Sequence, residues 1–479
     1  MNQPISHAGP SAALADLAHR FWALRCHEEP LFTIPSGVTP PTPVIFREGY
    51  QDYERRYASA RVLLSQLETL PENHFTGQEW ATYSLLRWEL EDIHNFHEVK
   101  AHLRPSLFPF GPEYAAIEFV NSVSLSSIES AELYLERLQS LTGYFGDVID
   151  NLTRGHAAGF RYPHRVLTGA VAAVGTYMDG TFEHSPWLAP FHRTPQVVPG
   201  IEKVAAHARE FVAAKLLPAL SSYADFLAGP LSIGARTSIS CRDMLQGDEL
   251  YRLLARRFTT TDLSARELHD VGRSEVARLT AEMLPTAADA GFGTDLGAYR
   301  AYLSTERSFF APSKDALREE FERLSRRIDL KIPEFFGKIP NTTYVIQSIP
   351  EAAAALLPIA YAQPNASDGS TPGVHWLTSL PHRAPSFIHI PLALHEGWPG
   401  HLMHRVLIEQ MDHLPPFRRY GAAFVGGWRN SACLEGWALY CESLGIDMGL
   451  YQTPHQHFGR LEMEMGRAVR LVVDTGIHA

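Results

Sequence analysis

Three imidazoles and one carboxylate fall within ten consecutive residues, His395-Glu396-Gly397-Trp398-Pro399-Gly400-His401-Leu402-Met403-His404. Neutral imidazole nitrogens and an anionic oxygen are what a divalent ion such as zinc binds. A His-Glu pair with a second His downstream is how a helix offers two ligands and a general base. In the common form the two histidines are four apart and share a helical face. Here His395 and His401 are six apart, which on a regular helix separates them by roughly 240°. Both reach one ion only if the helix is interrupted. Pro399 lacks an N–H and disfavours helical backbone at Trp398, while Gly397 and Gly400 accept unusual dihedrals. The stretch Gly397 to Gly400 is therefore expected as a bulge inserted into a metal-binding helix. It would return His401 to the side of His395 and leave Glu396 one step from the ion. Taken alone, the segment also fits a Pro-Gly turn carrying ordinary polar histidines.

A second carboxylate favours the metal. Glu435 sits in an apolar helical run of Leu434, Trp437, Ala438, Leu439, Tyr440 and Cys441. Burying it without a partner is costly, and a metal is a suitable partner. His395, His401 and Glu435 are thus the candidate ligands. Two imidazoles and a carboxylate leave an open position, as catalytic zinc sites require. The chemistry would be metal-assisted hydrolysis of an amide, with Glu396 as general base. His404, three residues after His401, is expected behind the ligands or at the surface. His375, His382 and His389 are treated as non-ligands, and Trp398 and Trp437 as packing. These donors suit zinc and also other divalent ions.

The elements that must carry these residues are mostly helices. Apolar residues recur at helical spacing over Ser11 to Arg25, Tyr50 to Leu70, Thr76 to Val99 and from Ser127 onward through Leu138, Leu141, Phe145, Val148 and Leu152. Helices are also expected over Glu202 to Leu227 (kinked at Pro218), over Asp248 to Phe258 and from a capping box at Ser264 and Glu267 to about Met283. Asp315 to Leu330 reads as a charged amphipathic helix with a solvated face, and Ala-rich Glu351 to Tyr361 as a further helix. Strands are few: Tyr344 to Ser348, ended by Pro350, and Phe387 to Ile390. Glu29 to Pro43 and Pro364 to Gly373 read as loops, Phe108 to Tyr114 as a break, and Gly155 to Thr194 as less regular. The expected architecture is mainly α, a large helical fold with a small β element near the site. It comprises an N-terminal helical region over 1–110 and a metal-bearing region over 111–479, in one continuous body.

Composition narrows the function. The 479 residues are 45% hydrophobic and 20% charged, with formal net charge −11, which is globular composition. No dense basic tract is present, which argues against nucleic acid or an anionic membrane as partner. The four cysteines show no C-x-x-C pattern, so neither a thiolate zinc site nor a disulfide framework is indicated. No signal-peptide pattern and no membrane-length apolar run is read, so a cytoplasmic enzyme is expected. Its partner would be a small molecule or short peptide.

The sequence resembles the DUF885 family, bacterial proteins regarded as zinc metallopeptidase-like in the style of the gluzincins. The resemblance rests on H-E-G-W-P-G-H (His395 to His401), L-E-G-W-A-L-Y-C-E (Leu434 to Glu442) and R-A-V-R-L-V-V-D-T-G-I-H (Arg467 to His478). Asp248 to His269 and Asp368-Gly369-Ser370 match more weakly. It implies a helical metallopeptidase-like fold, ligands His395, His401 and Glu435, and Glu396 as catalytic carboxylate. It differs at His404, where the family usually has Gln. The family pattern also continues into a further helical region beyond the D-T-G-I-H segment. Candidate oxyanion donors are His478, Arg470 and Tyr440. Arg470, Asp474 and His478 recur four apart on one helical face. An ordinary Arg470–Asp474 ion pair explains that spacing as well, and the resemblance favours a site role for Arg470 and His478. Two other functions fit the same residues. One is a tailoring hydrolase acting on a small non-peptide amide or ester. The other is an inactive helical binding protein with a vestigial metal site.

Overall fold

The computed structural model describes residues 9–29, 48–122, 125–181, 183–193, 198–355, 357–365, 372–420 and 431–479. The expected loop from Glu29 to Pro43 falls almost wholly outside these residues, as do most of the loop from Pro364 to Gly373 and the Asp368-Gly369-Ser370 match. In chain order the first ten helices are α1 (Pro10–Glu28), α2 (Tyr50–Glu68), α3 (Gly77–Glu98), α4 (Pro112–Ser122), α5 (Ile128–Ala157), α6 (His164–Gly175), α7 (Ala189–Arg193), α8 (Ile201–Phe211), α9 (Leu217–Ala228) and α10 (Gly247–Thr259). They are followed by α11 (Ala265–Asp289), α12 (Leu296–Thr305), α13 (Lys314–Asp329), α14 (Ile332–Phe335), α15 (Glu351–Ala354), α16 (His389–Glu396), α17 (His401–Glu409), α18 (Pro416–Tyr420), α19 (Ser431–Asp447) and α20 (Pro454–His478). Three short strands, β1 (Tyr344–Ser348), β2 (Ala360–Gln363) and β3 (Gly373–Leu377), complete a mainly α fold.

The chain divides into two compact units. One comprises Met1–Leu254, Leu414–Trp428 and His478–Ala479, the other Ala255–His413 and Arg429–Ile477. In the first unit, α5 starts where the Ser127 hydroxyl accepts from the Ser130 N–H and Ser130 caps in return, satisfying two orphan donors of the first turn. Its residues Leu138, Leu141, Phe145, Val148 and Leu152 form one buried stripe, packed with Leu167 and Val174 of α6 and Leu220, Tyr223 and Leu227 of α9. A second cluster joins α1, α2, α3 and α18 through Phe21, Leu63, Leu86 and Phe417. Between α8 and α9 the backbone widens into a π turn, Val212–Leu216. Pro218 follows it and has no N–H for the carbonyl four residues back, so the expected kink takes this form.

The second unit carries the sheet, ordered β1-β3-β2. β1 runs parallel to β3 with Tyr344 opposite Gly373, and β2 runs antiparallel to β3 with Ala360 opposite Leu377. Leu317, Phe321 and Ile328 of α13 and Ile390, Leu392 and Leu394 of α16 share one core with Ala360 and Leu377 of the sheet. The charged helix α13 therefore has a solvated face and a fully buried one. A further core joins α11, α12 and α20 through Leu279, Met283, Tyr299, Leu303, Phe458 and Leu461.

Four sequence expectations change. Phe387 to Ile390 is not a strand but a 3-10 turn, Ser386–Ile388, leading into α16. Among the described residues of Glu351 to Tyr361 only the first turn is helical, and the end of the stretch opens β2. In both places the short apolar run fits either structure, and tertiary packing chose. The supposedly irregular stretch before Thr194 contains α6. Finally, Ile201–Ser232 is long and apolar enough to cross a membrane by length and composition, with mean hydropathy 1.2. Its Leu216, Leu220 and Leu227 are fully buried against the helices of the first unit.

Candidate metal centre

The interruption expected between His395 and His401 is a complete break between two helices rather than a bulge within one. α16 ends at Glu396 with every residue buried, and α17 starts at His401. The linking residues fold back across the end of α16. A Cβ on Gly400 would lie 2.0 Å from the His395 carbonyl oxygen and 2.2 Å from that of Leu394, so only glycine allows this approach. The Trp437 Nε1–H donates to the Pro399 carbonyl oxygen at 2.9 Å, fastening the turn to α19. The two histidine rings end 4.7 Å apart between centroids, at 81°.

Glu435 reaches both rings from α19. Its Oε2 is 3.4 Å from His395 Nε2 and its Oε1 3.7 Å from His401 Nε2. One donor atom from each of the three residues lies within 4.8 Å of the others. Two imidazole nitrogens and a carboxylate oxygen converging so closely fit the donor set of a divalent ion.

Two side chains that the sequence reasoning passed over complete the surroundings. Glu442, one per cent exposed, accepts from His395 Nδ1–H at 2.9 Å. Arg467 of α20 approaches the same Glu442 oxygen at 2.9 Å. A guanidinium can only donate and a carboxylate can only accept. Both ring nitrogens of His395 face carboxylate oxygens, Nδ1 that of Glu442 and Nε2 that of Glu435, so the ring holds a proton on each, and an ion would take the place of the one on Nε2. A carboxylate behind a ligating histidine fixes its tautomer and orientation. The signal was available: the desolvation argument that singled out Glu435 applies equally to Glu442 seven residues on. Arg467 carried none beyond its place in a motif.

The charges differ sharply. Burial pushes the His395 imidazolium down, but hydrogen bonds to Glu435 and Glu442 outweigh it and raise the pKa to about 9. Burial, with His395 beside it, lowers His401 to about 4, leaving it a neutral donor. Burial opposes charge on Glu435, yet its hydrogen bond to His395 and the nearby His401 hold it below its ordinary value. Glu396 faces another balance. Burial lifts its carboxyl to about 7, with His395 pulling the other way and Glu435 adding to the rise.

The oxyanion candidates fall in different surroundings. His478 lies in the other unit, where its Nδ1 accepts from the Cys241 N–H at 3.0 Å and its ring packs against Tyr251. Arg470 is exposed on α20. Tyr440 is 54% exposed and borders Trp437, with ring centroids 5.8 Å apart. His404 packs on Trp437 at 5.5 Å. His389 has its Nε2 on the Ala384 carbonyl oxygen at 2.9 Å.

A mainly helical protein with a two-histidine, one-glutamate cluster at a broken helix is thus defined. The family model described as "Bacterial protein of unknown function (DUF885)" matches residues 49–479, and the chain belongs to that family. Among solved structures, a "putative lipoprotein" from Colwellia psychrerythraea superposes with a TM-score of 0.86 at 21% identity, over 98% of this chain and 84% of that one. A second, from Shewanella oneidensis and described as a "putative lipoprotein of unknown function", gives 0.63 at 16% identity over the same shares. At these identities the likeness is one of fold. Both descriptions overturn the expectation of a cytoplasmic protein. No curated protein matches the sequence.

Proposed function

We propose that this chain is a metal-dependent hydrolase of the metallopeptidase type, using zinc to cleave amide bonds of short peptides. We also propose that it works outside the cytoplasm, attached to a membrane, as the descriptions of its structural relatives suggest. One observation carries the catalytic reading: donor atoms of His395, His401 and Glu435 converge within 4.8 Å, beside the buried carboxyl of Glu396.

His395 Nε2, His401 Nε2 and Glu435 would hold the ion. When bound, it supplies Lewis-acid polarisation of the substrate carbonyl and lowers the pKa of water toward about 7. The protein's own groups do the rest. Glu442 holds the Nδ1 proton of His395, so that Nε2 is the nitrogen that would give up its proton and ligate. Arg467 balances the charge of Glu442, which makes a buried carboxylate tolerable. Glu396 is lifted to about 7. It can take a proton and return it to a leaving amine near neutral pH, where a base of matched pKa works best. The buried α16 keeps water from the far side of the ligands.

The test has two arms. Elemental analysis of purified protein should find about one zinc per chain, with loss on chelation. Glu396→Gln should keep the zinc and lose turnover of short peptides by about a hundredfold or more. Unchanged turnover in that variant removes Glu396 as base, and protein that neither carries nor takes up a divalent ion removes the hydrolase.

A further inference from the structure

Gly436 follows the ligand Glu435 in the interior of α19, where glycine is less favourable than alanine. Nothing local requires it. Its φ is not in the left-handed range, and a Cβ built there meets no atom within 4 Å. The residue is exposed. Successive helix residues turn by about 100°, so Glu435 and Trp437 flank Gly436 on opposite sides and Tyr440 lies over the Trp437 side. The result is a strip of bare helix backbone with a metal ligand along one border and two aromatic rings along the other.

The aromatic border is built. Trp437 is pinned by its Nε1–H to the Pro399 carbonyl oxygen at 2.9 Å. His404 and Phe336 pack around it at 5.5 and 6.4 Å. Tyr440 stands beside it with 54% of its surface exposed. Exposed aromatic surface next to a site marks a place where ligands bind.

We propose that this strip is the specificity subsite of the enzyme. It receives a flat aromatic or bulky apolar group adjacent to the bond being cleaved, with Gly436 left bare so that the substrate can lie against the helix. Trp437 and Tyr440 supply the stacking surface. The inference rests on the metal-dependent reading above. A substrate with glycine at that position has nothing to place over the strip.

Metal-chelating hydroxamates separate the two ideas. Zinc-loaded protein is titrated calorimetrically with acetohydroxamate and with 3-phenylpropanohydroxamate. The phenyl compound should bind roughly tenfold or more tightly, a typical gain for filling an apolar pocket. Tyr440→Ala should remove most of that preference. Gly436→Ala should raise the melting temperature, because alanine favours the helix, and yet weaken the phenyl compound by a similar factor. Equal affinities of the two hydroxamates, or a Gly436→Ala protein that binds the phenyl compound normally, overturn the subsite and leave the metal site standing. Zinc-independent binding, or none of either compound, overturns the metal reading and the subsite with it.

Discussion

At the scale of single residues, the centre depends on which proton sits where. Glu442 is one per cent exposed, yet its carboxylate has two partners. The Arg467 guanidinium and the His395 Nδ1–H both meet its Oε1, and a carboxylate held in this way would orient His395 toward an ion. Glu442→Ala should therefore lower zinc affinity by about ten- to a hundredfold, measured by competition with a chromophoric chelator, while the ligands themselves are intact. Affinity equal to that of the parent protein would show that Glu442 is only a core ion-pair partner. Glu442 and Arg467 lie 47 and 72 residues from His395. No local pattern ties such residues together, whereas His395, Glu396 and His401 announce themselves within seven consecutive positions.

At the scale of elements, a broken helix does what an unbroken one cannot. Gly400 lets the start of α17 lie on the last carbonyls of α16. Gly400→Ala puts a methyl 2.0 Å from a backbone oxygen, a contact no side chain can relieve. That variant should lose tight zinc binding even where circular dichroism still reports a helical protein; retained affinity would mean that the turn has slack. A helix start remote from the centre behaves differently. Ser264 accepts from the Glu267 N–H at 3.3 Å, and Glu267 accepts in turn from the Ser264 N–H at 2.8 Å. Ser264→Ala should cost about 1 kcal/mol in chemical denaturation and leave zinc affinity as it was. Capping boxes are local in sequence, which is why this one was read correctly. Phe387 to Ile390 is ambiguous in sequence, because a short, largely apolar run suits a strand and a buried helix start equally well.

At the scale of the whole molecule, folding stores charge in dry places, and pH reveals it. Glu113 of α4 is completely buried, and burial lifts its carboxyl from 4.5 to about 7 despite a contact with its own N–H. Below about pH 4.5 it is protonated in folded and unfolded chains alike. Between there and 7 only the unfolded chain gives up its proton, so stability declines as pH rises through that window. Glu113→Gln should flatten the decline and gain up to about 3 kcal/mol at pH 8, with no gain at pH 4.5. Equal pH profiles for the two proteins would show that the Glu113 carboxyl is hydrated in solution. Zinc should act on the folded protein as any specific ligand does, adding about 4 kcal/mol at a free concentration a thousandfold above its dissociation constant.

The sequence by itself determined the helical class, most helix cores and the three residues, His395, His401 and Glu435, whose donor atoms converge. Those properties follow from residue chemistry and from periodicities a few residues long. Only the tertiary structure decided that the helix breaks completely between the histidines, and that Glu442 and Arg467 stand behind His395. It also decided that His478 belongs to a different unit from His395, His401 and Glu435. Each of these is a meeting of residues far apart in the chain, fixed by the packing of α16, α19 and α20, and packing depends on shape that no short stretch of sequence encodes.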